Sequence, residues 1–122
     1  MLYAMLCYNS EAMVTSWTKE EDDAVMARLN VVHERLYAQK KLGPALRLMP
    51  TTTATTLFKQ KDLVLDGPYA ETKEQLLGFY IVDCATLDEA VGIARELAVA
   101  NPGGAYEIRP ISLFLPGVEI PG

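Results

Sequence analysis

One histidine, one turn dense in charge and one arginine–proline pair are the places where this chain carries residues able to do chemistry. His33 is the sole histidine, so any proton transfer through imidazole near neutral pH has to use it. A half-buried histidine on a helix can equally be satisfied by a neighbour and do nothing more. In the stretch Asp66-Gly67-Pro68-Tyr69-Ala70-Glu71-Thr72-Lys73-Glu74-Gln75-Leu76-Leu77-Gly78-Phe79-Tyr80, a turn, several charges and a strand start are packed into one junction. Asp66 stands before Gly67-Pro68, where a carboxylate either accepts backbone N–H bonds and fixes the turn or serves as a proton acceptor. Glu71 and Lys73 are polar groups for a substrate, or a solvated charged turn. Tyr69 brings a flat apolar body with a hydroxyl tip, suited to lining a pocket or packing on Pro68. Further on, Glu107 and Arg109 share one face of a strand while Tyr106 and Ile108 share the other, because the side-chain period is two. Arg109 can grip a carboxylate through two parallel hydrogen bonds, or pair with Glu107, Asp66 or Glu71 to orient the turn.

The elements that must position these residues follow from periodicity. Leu2, Ala4 and Leu6 alternate with Tyr3, Met5 and Cys7, so both faces of the first strand are apolar and each needs cover. Thr18 with Glu21 reads as a capping box, and Val25, Leu29, Val32 and Leu36 continue as the apolar stripe of a long helix ending near Gly43-Pro44. His33 lies on the flank of that stripe with Met26 and Tyr37. Strands are expected at Ala45–Met49, in the Thr-rich run Thr51–Phe58 and at Leu63–Leu65, with Lys59–Asp62 as a hairpin turn. Gly78–Cys84 is a further strand, and Gly78 itself suits a close backbone approach or a bulge. Thr86 with Glu89 opens a second helix carrying Leu87, Ala90, Ile93, Ala94 and Leu97, which Asn101-Pro102-Gly103-Gly104 stops. Tyr106–Leu113 is the last strand.

This order predicts an α+β fold: a ferredoxin-like split βαβ with an inserted β-hairpin, two helices on one face of an antiparallel sheet. The sheet face away from the helices is expected to carry Tyr, Met and Cys, and a second copy of the same sheet is the simplest cover, hence a homodimer. With Tyr106 and Ile108 towards the helices, Glu107 and Arg109 would face the cavity of that dimer.

Composition narrows the function. The 122 residues suit one domain, expected over 1–115 with a tail at 116–122. Half the chain is hydrophobic and 22% is charged, which is globular usage. A net charge of -5 without a Lys/Arg cluster argues against direct nucleic-acid binding. Cys7 and Cys84 sit in apolar runs, so they read as buried free thiols rather than zinc ligands. Neither a secretory signal nor a span of ~20 apolar residues is present, which predicts a soluble cytoplasmic protein without membrane contact. No HExxH, GxSxG, Walker or GxGxxG motif occurs, and neither a metal nor a cofactor is expected.

The Asp66-Gly67-Pro68-Tyr69 junction and Arg109-Pro110 together resemble the DGPF, or YCII-related, family of small bacterial proteins, with Tyr69 where the name has Phe. The resemblance extends over nearly the whole chain and implies a dimeric α+β barrel. Related YCII-like proteins pair a His with an Asp; here His33 falls in a comparable helix, and Lys41 or its neighbours stand where the Asp would be. One function that fits is binding of a small organic acid or phenolic molecule at the sheet and dimer interface. Lyase- or isomerase-like acid–base chemistry there would use Asp66 as proton acceptor and Arg109 as anion clamp. The resemblance also implies a regulatory alternative, association with an extracytoplasmic-function sigma factor through the hairpin and the tail. A cofactor-free monooxygenase of the same barrel group is a third reading that no residue specifically demands.

Overall fold

The computed structural model describes residues 1–121. Its elements run β1 (Leu2–Asn9), α1 (Glu11–Thr15), α2 (Lys19–Ala38), β2 (Leu42–Arg47), β3 (Thr55–Phe58), β4 (Leu63–Asp66), β5 (Gln75–Asp83), α3 (Leu87–Ala100) and β6 (Ala105–Pro110). The main sheet has the order β2-β5-β1-β6, all antiparallel, and β3 with β4 forms a separate hairpin. This is the expected ferredoxin-like split βαβ with its inserted hairpin, the fold of the dimeric α+β barrel group.

Side-chain capping starts each helix. Thr18 accepts from the Glu21 N–H and the Glu21 carboxylate accepts from the Thr18 N–H, the reciprocal box expected at α2. At α3 Thr86 accepts from the Glu89 N–H, while the Glu89 carboxylate accepts from Ala85 instead. The short helix α1 adds to the elements expected from sequence, and Ser10 caps it through the Met13 N–H. α2 stops at Ala38, short of Gly43-Pro44, because the chain turns back at Lys40 with φ 57°. Gly43 and Pro44 lie inside β2 at a register shift, a position an edge strand allows for proline.

The two long helices, α2 and α3, lie on one face of the sheet. Val25, Leu29 and Leu36 of α2 and Ala90, Ile93, Ala94 and Leu97 of α3 are buried against Tyr3, Met5, Val82 and Cys84. Leu87, expected in the α3 stripe, is 51% exposed. Tyr3 and Met5 therefore face the helices, not the open side as the sequence reading placed them. Both alternating sets of β1 are apolar, so hydrophobicity alone could not decide which set points which way. The open face instead carries Leu2, Ala4 and Leu6 beside Phe79 and Ile81, and β6 adds Glu107 opposite Leu6 and Arg109 opposite Ala4. From 111 to 121 the chain forms no helix or strand, although the Ile111 N–H still donates to Leu2. Among the described residues no helix is long and apolar enough to cross a membrane.

Candidate functional site

Register across the sheet places the floor of the site. On the helix side one rung reads Arg47, Gly78, Cys7, Tyr106 and the next reads Ala45, Tyr80, Met5, Ile108. At the second rung the helices close down over Met5, at 0% exposure, while Ala45 and Tyr80 on the β2 side of that rung still border open space. At the first they do not. A cavity of about 650 Å³ opens there, walled by Trp17, Met26, Leu29 and His33 on the helix side and by Arg47, Cys7, Tyr80 and Tyr106 on the sheet side. Small residues on the floor make the room: Gly78 has no side chain and Cys7 a short one. Gly78 is required by the backbone as well, since a Cβ there would come within 2.1 Å of the Leu46 carbonyl oxygen. The β1–β5 register shifts between Cys7 and Tyr8 beside it, so close approach and bulge both occur here.

The polar groups of the interior are uncharged at neutral pH. His33 Nε2 lies 2.9 Å from the Tyr80 hydroxyl, with the two rings in an edge-on arrangement 5.3 Å apart. Burial holds the His33 pKa below its ordinary value of 6.5, against the opposing pull of Glu34. Burial pushes the Tyr80 phenol up to about 12, helped by Cys7 and Tyr37 and opposed by Arg47. The Cys7 thiol is pushed up to about 12 by burial, and Tyr106 rises for the same reason. Asn101, which also lines the cavity, has a buried Oδ1 without a hydrogen-bond partner. Charge is confined to the rim. Arg47 donates to both oxygens of Asp22, at 3.4 and 3.1 Å, and to the Met26 sulfur. Glu11 accepts from the Thr51 N–H and hydroxyl, both at 2.8 Å, and its own N–H donates to Gln75 at 3.0 Å.

The residues singled out from sequence separate onto three surfaces. His33 lines the cavity, and its partner is Tyr80; Lys41, near which an Asp was sought, pairs with Glu89 at 2.8 Å. Asp66, Tyr69, Glu71 and Lys73 are exposed on the hairpin and the following turn. Asp66 does not fix that turn: the Gly67 N–H donates to Ala54, the Thr56 hydroxyl donates to the Gly67 carbonyl, and Gly67 itself has φ +113°. Tyr69 is 80% exposed, with its ring tilted against Phe58 at a centroid distance of 6.0 Å. Glu71 borders a second, smaller hollow of about 410 Å³ with Thr51 and Gln75. Arg109 stands on the opposite side of the sheet from the large cavity, and among the described residues it forms no ion pair with Glu107, Asp66 or Glu71. The junction meets the sheet where Gln75 pairs with Asn9, whereas Arg109 is opposite Ala4. Those positions are five residues apart along β1, roughly 17 Å of strand, so Glu71 and Lys73 do not lean towards Arg109.

Sequence reasoning missed Trp17, Arg47, Tyr80, Asn101 and Tyr106. Parity along the strands was the available signal, since Cys7, Tyr80, Tyr106 and Arg47 share a face once Met5 is placed inside. Among the described residues no three His, Cys, Asp or Glu side chains converge in a way that could hold a metal ion.

A family model described as the YCII-related domain matches residues 1–115. The chain is 55% identical over 124 residues to a protein of Rhizobium meliloti (strain 1021) described as "Uncharacterized protein R00369", covering 99% of each. Among solved structures it is similar to 5-chloro-2-hydroxyhydroquinone dehydrochlorinase (TftG) from Burkholderia phenoliruptrix AC1100, in complex with 2,5-dihydroxybenzoquinone. That match has a TM-score of 0.55 and 15% identity, over 92% of this chain and 94% of the other. At that identity the likeness is one of fold.

Proposed function

This chain belongs to the YCII-related family, and from that premise we propose that it binds a small hydroxylated aromatic or organic-acid molecule beneath α2. The observation that carries the reading is the His33–Tyr80 hydrogen bond of 2.9 Å inside a cavity large enough for one ring, whose interior is mainly apolar and whose charged groups stand at the rim. A phenol or enol on the ligand can join that pair, donating to or accepting from whichever atom the histidine tautomer leaves open. TftG, with a related fold, is solved with a hydroxylated quinone, which supports a ring of this class as the occupant. If the bound molecule is changed, cofactor-independent acid–base chemistry of the lyase or isomerase kind fits, with neutral His33 as the proton acceptor and Tyr80 holding its orientation. Asp66 and Arg109, the acceptor and clamp expected from sequence, stand outside this cavity in one chain.

A homodimer through the open face remains part of the proposal: Leu2, Leu6 and Phe79 make an apolar surface that a second copy would cover. Arg109 and Glu107 would then lie at that interface. The domain is taken as 1–115 with a tail at 116–122, in a cytoplasmic setting that keeps Cys7 and Cys84 reduced. The sigma-factor association gains no support from the fold or the comparisons.

Trp17 lines the cavity and is the sole tryptophan, so its fluorescence reports occupancy directly. Titration with catechol should give saturable quenching in the wild type, weakened about tenfold in Tyr80→Phe and His33→Asn. Equal quenching in all three proteins, or none in the wild type, refutes the reading.

A further inference from the structure

We infer that Arg47 selects for a carboxylate on the bound ring, by exchanging its partner Asp22 for the ligand; the inference rests on the reading that the cavity takes a hydroxylated ring.

Three observations carry it. First, Arg47 is the guanidinium of the cavity wall, and its fork is already engaged with a carboxylate in the manner a ligand would use: two nitrogens donate to the two oxygens of Asp22. Second, the pair is held loosely. Its side chains are 58% and 35% exposed, and an ion pair this open to water adds little stability, so a ligand can replace one half of it. Asp22 lies in the first turn of the 20-residue helix α2, where a released carboxylate still benefits from the positive end of the helix dipole. Third, the competing groups are accounted for. Glu11 is locked onto Thr51, and Lys19 is 91% exposed beside Asp23. The deeper polar groups, Tyr80 and His33, offer hydrogen bonds without a fixed charge.

The spacing defines the ligand. Ala45 is opposite Tyr80 and Arg47 opposite Gly78, so Arg47 and Tyr80 are diagonal neighbours on one face, their backbones about 7–8 Å apart. The long Arg47 side chain carries its guanidinium on to Asp22 and Met26 while the Tyr80 phenol stays at His33, about two to three turns apart along α2. A ring with a polar group at each end and a hydrogen bond beyond each can bridge that gap. A carboxylate at one end and a hydroxyl at the other would meet Arg47 and the His33–Tyr80 pair together, which is the pattern of a hydroxybenzoate.

Calorimetric titration of 4-hydroxybenzoate against its neutral isostere 4-hydroxybenzamide tests this. The wild type should prefer the acid by about tenfold. Arg47→Gln should bind both probes alike, and Asp22→Asn, which removes the internal competitor, should widen the preference. Suppose the amide binds in a Tyr80-dependent way but the wild type shows no preference, or Arg47→Gln keeps it. The role of Arg47 then falls while the cavity reading stands. Binding of neither probe to the wild type overturns both.

Discussion

Beneath the helices the two ends of the sheet reach opposite results. At one end Tyr3, Val82 and Cys84 meet Leu36, Ile93 and Leu97 with nothing between them; at the other Cys7, Gly78 and Arg47 face Met26, His33 and Trp17 across open volume. The difference lies on both layers. At the solid end α3 presents Ala90 and Ala94, small residues that let its backbone approach the strands. At the hollow end the smallness is in the floor and the bulk is on the helix side, held off by Trp17 and by α1, which Gln75 and Thr51 tie down through Glu11. Where small side chains sit relative to the layer that carries the backbone decides whether a gap closes or persists.

Substitutions should separate the ends in a graded way. Leu97→Ala leaves a void at the solid end and should cost about 2–5 kcal/mol by denaturant unfolding; Met26→Ala, at the hollow end, should cost less than about 1.5 kcal/mol. Equal costs would break the comparison. Gly78→Ala comes next, since its Cβ must push β2 away at Leu46; a loss of about 1–3 kcal/mol is expected, with added protease sensitivity in β2. Tyr80→Phe removes the partner of His33 and should cost about 1 kcal/mol, while the wild-type fold persists by circular dichroism. The smallest effect is in pH. Burial sets the folded-state pKa of His33 below its unfolded value of 6.5, so the unfolded chain takes up the proton first. Stability from this group is complete above that value and declines as pH falls below it. Melting curves should show the wild type losing Tm on acidification in that range and His33→Asn losing less.

Most of the fold was legible because its signals are local. The Thr18–Glu21 box, the Val25–Leu29–Leu36 stripe and the Lys59–Asp62 turn each depend on neighbours in sequence, and each is present. The site was not legible in the same way. Its floor is one residue from each of four strands, brought into line by a register that no single segment encodes. The Asp66–Tyr80 junction drew attention through its charges, yet the residues of it that touch the cavity are Leu77, Gly78 and Tyr80, at its uncharged end. His33 was placed on the correct flank of α2, but its partner lies 47 positions away on β5. Arg109 and Arg47 both sit on edge strands and look alike in sequence; pleat parity sends one to the open face and the other to the cavity.

The hairpin of β3 and β4 pairs only with itself, and Leu57, Val64 and Leu65 on it are 54%, 59% and 48% exposed. A two-stranded ribbon of this kind has little stability of its own, so in the isolated chain it opens as a separate unit while the four-stranded sheet stays closed. Its amide protons should exchange with solvent far sooner than those of β1. Trypsin should nick the chain first at Lys59 and Lys61, leaving the layered core assembled around a cut loop.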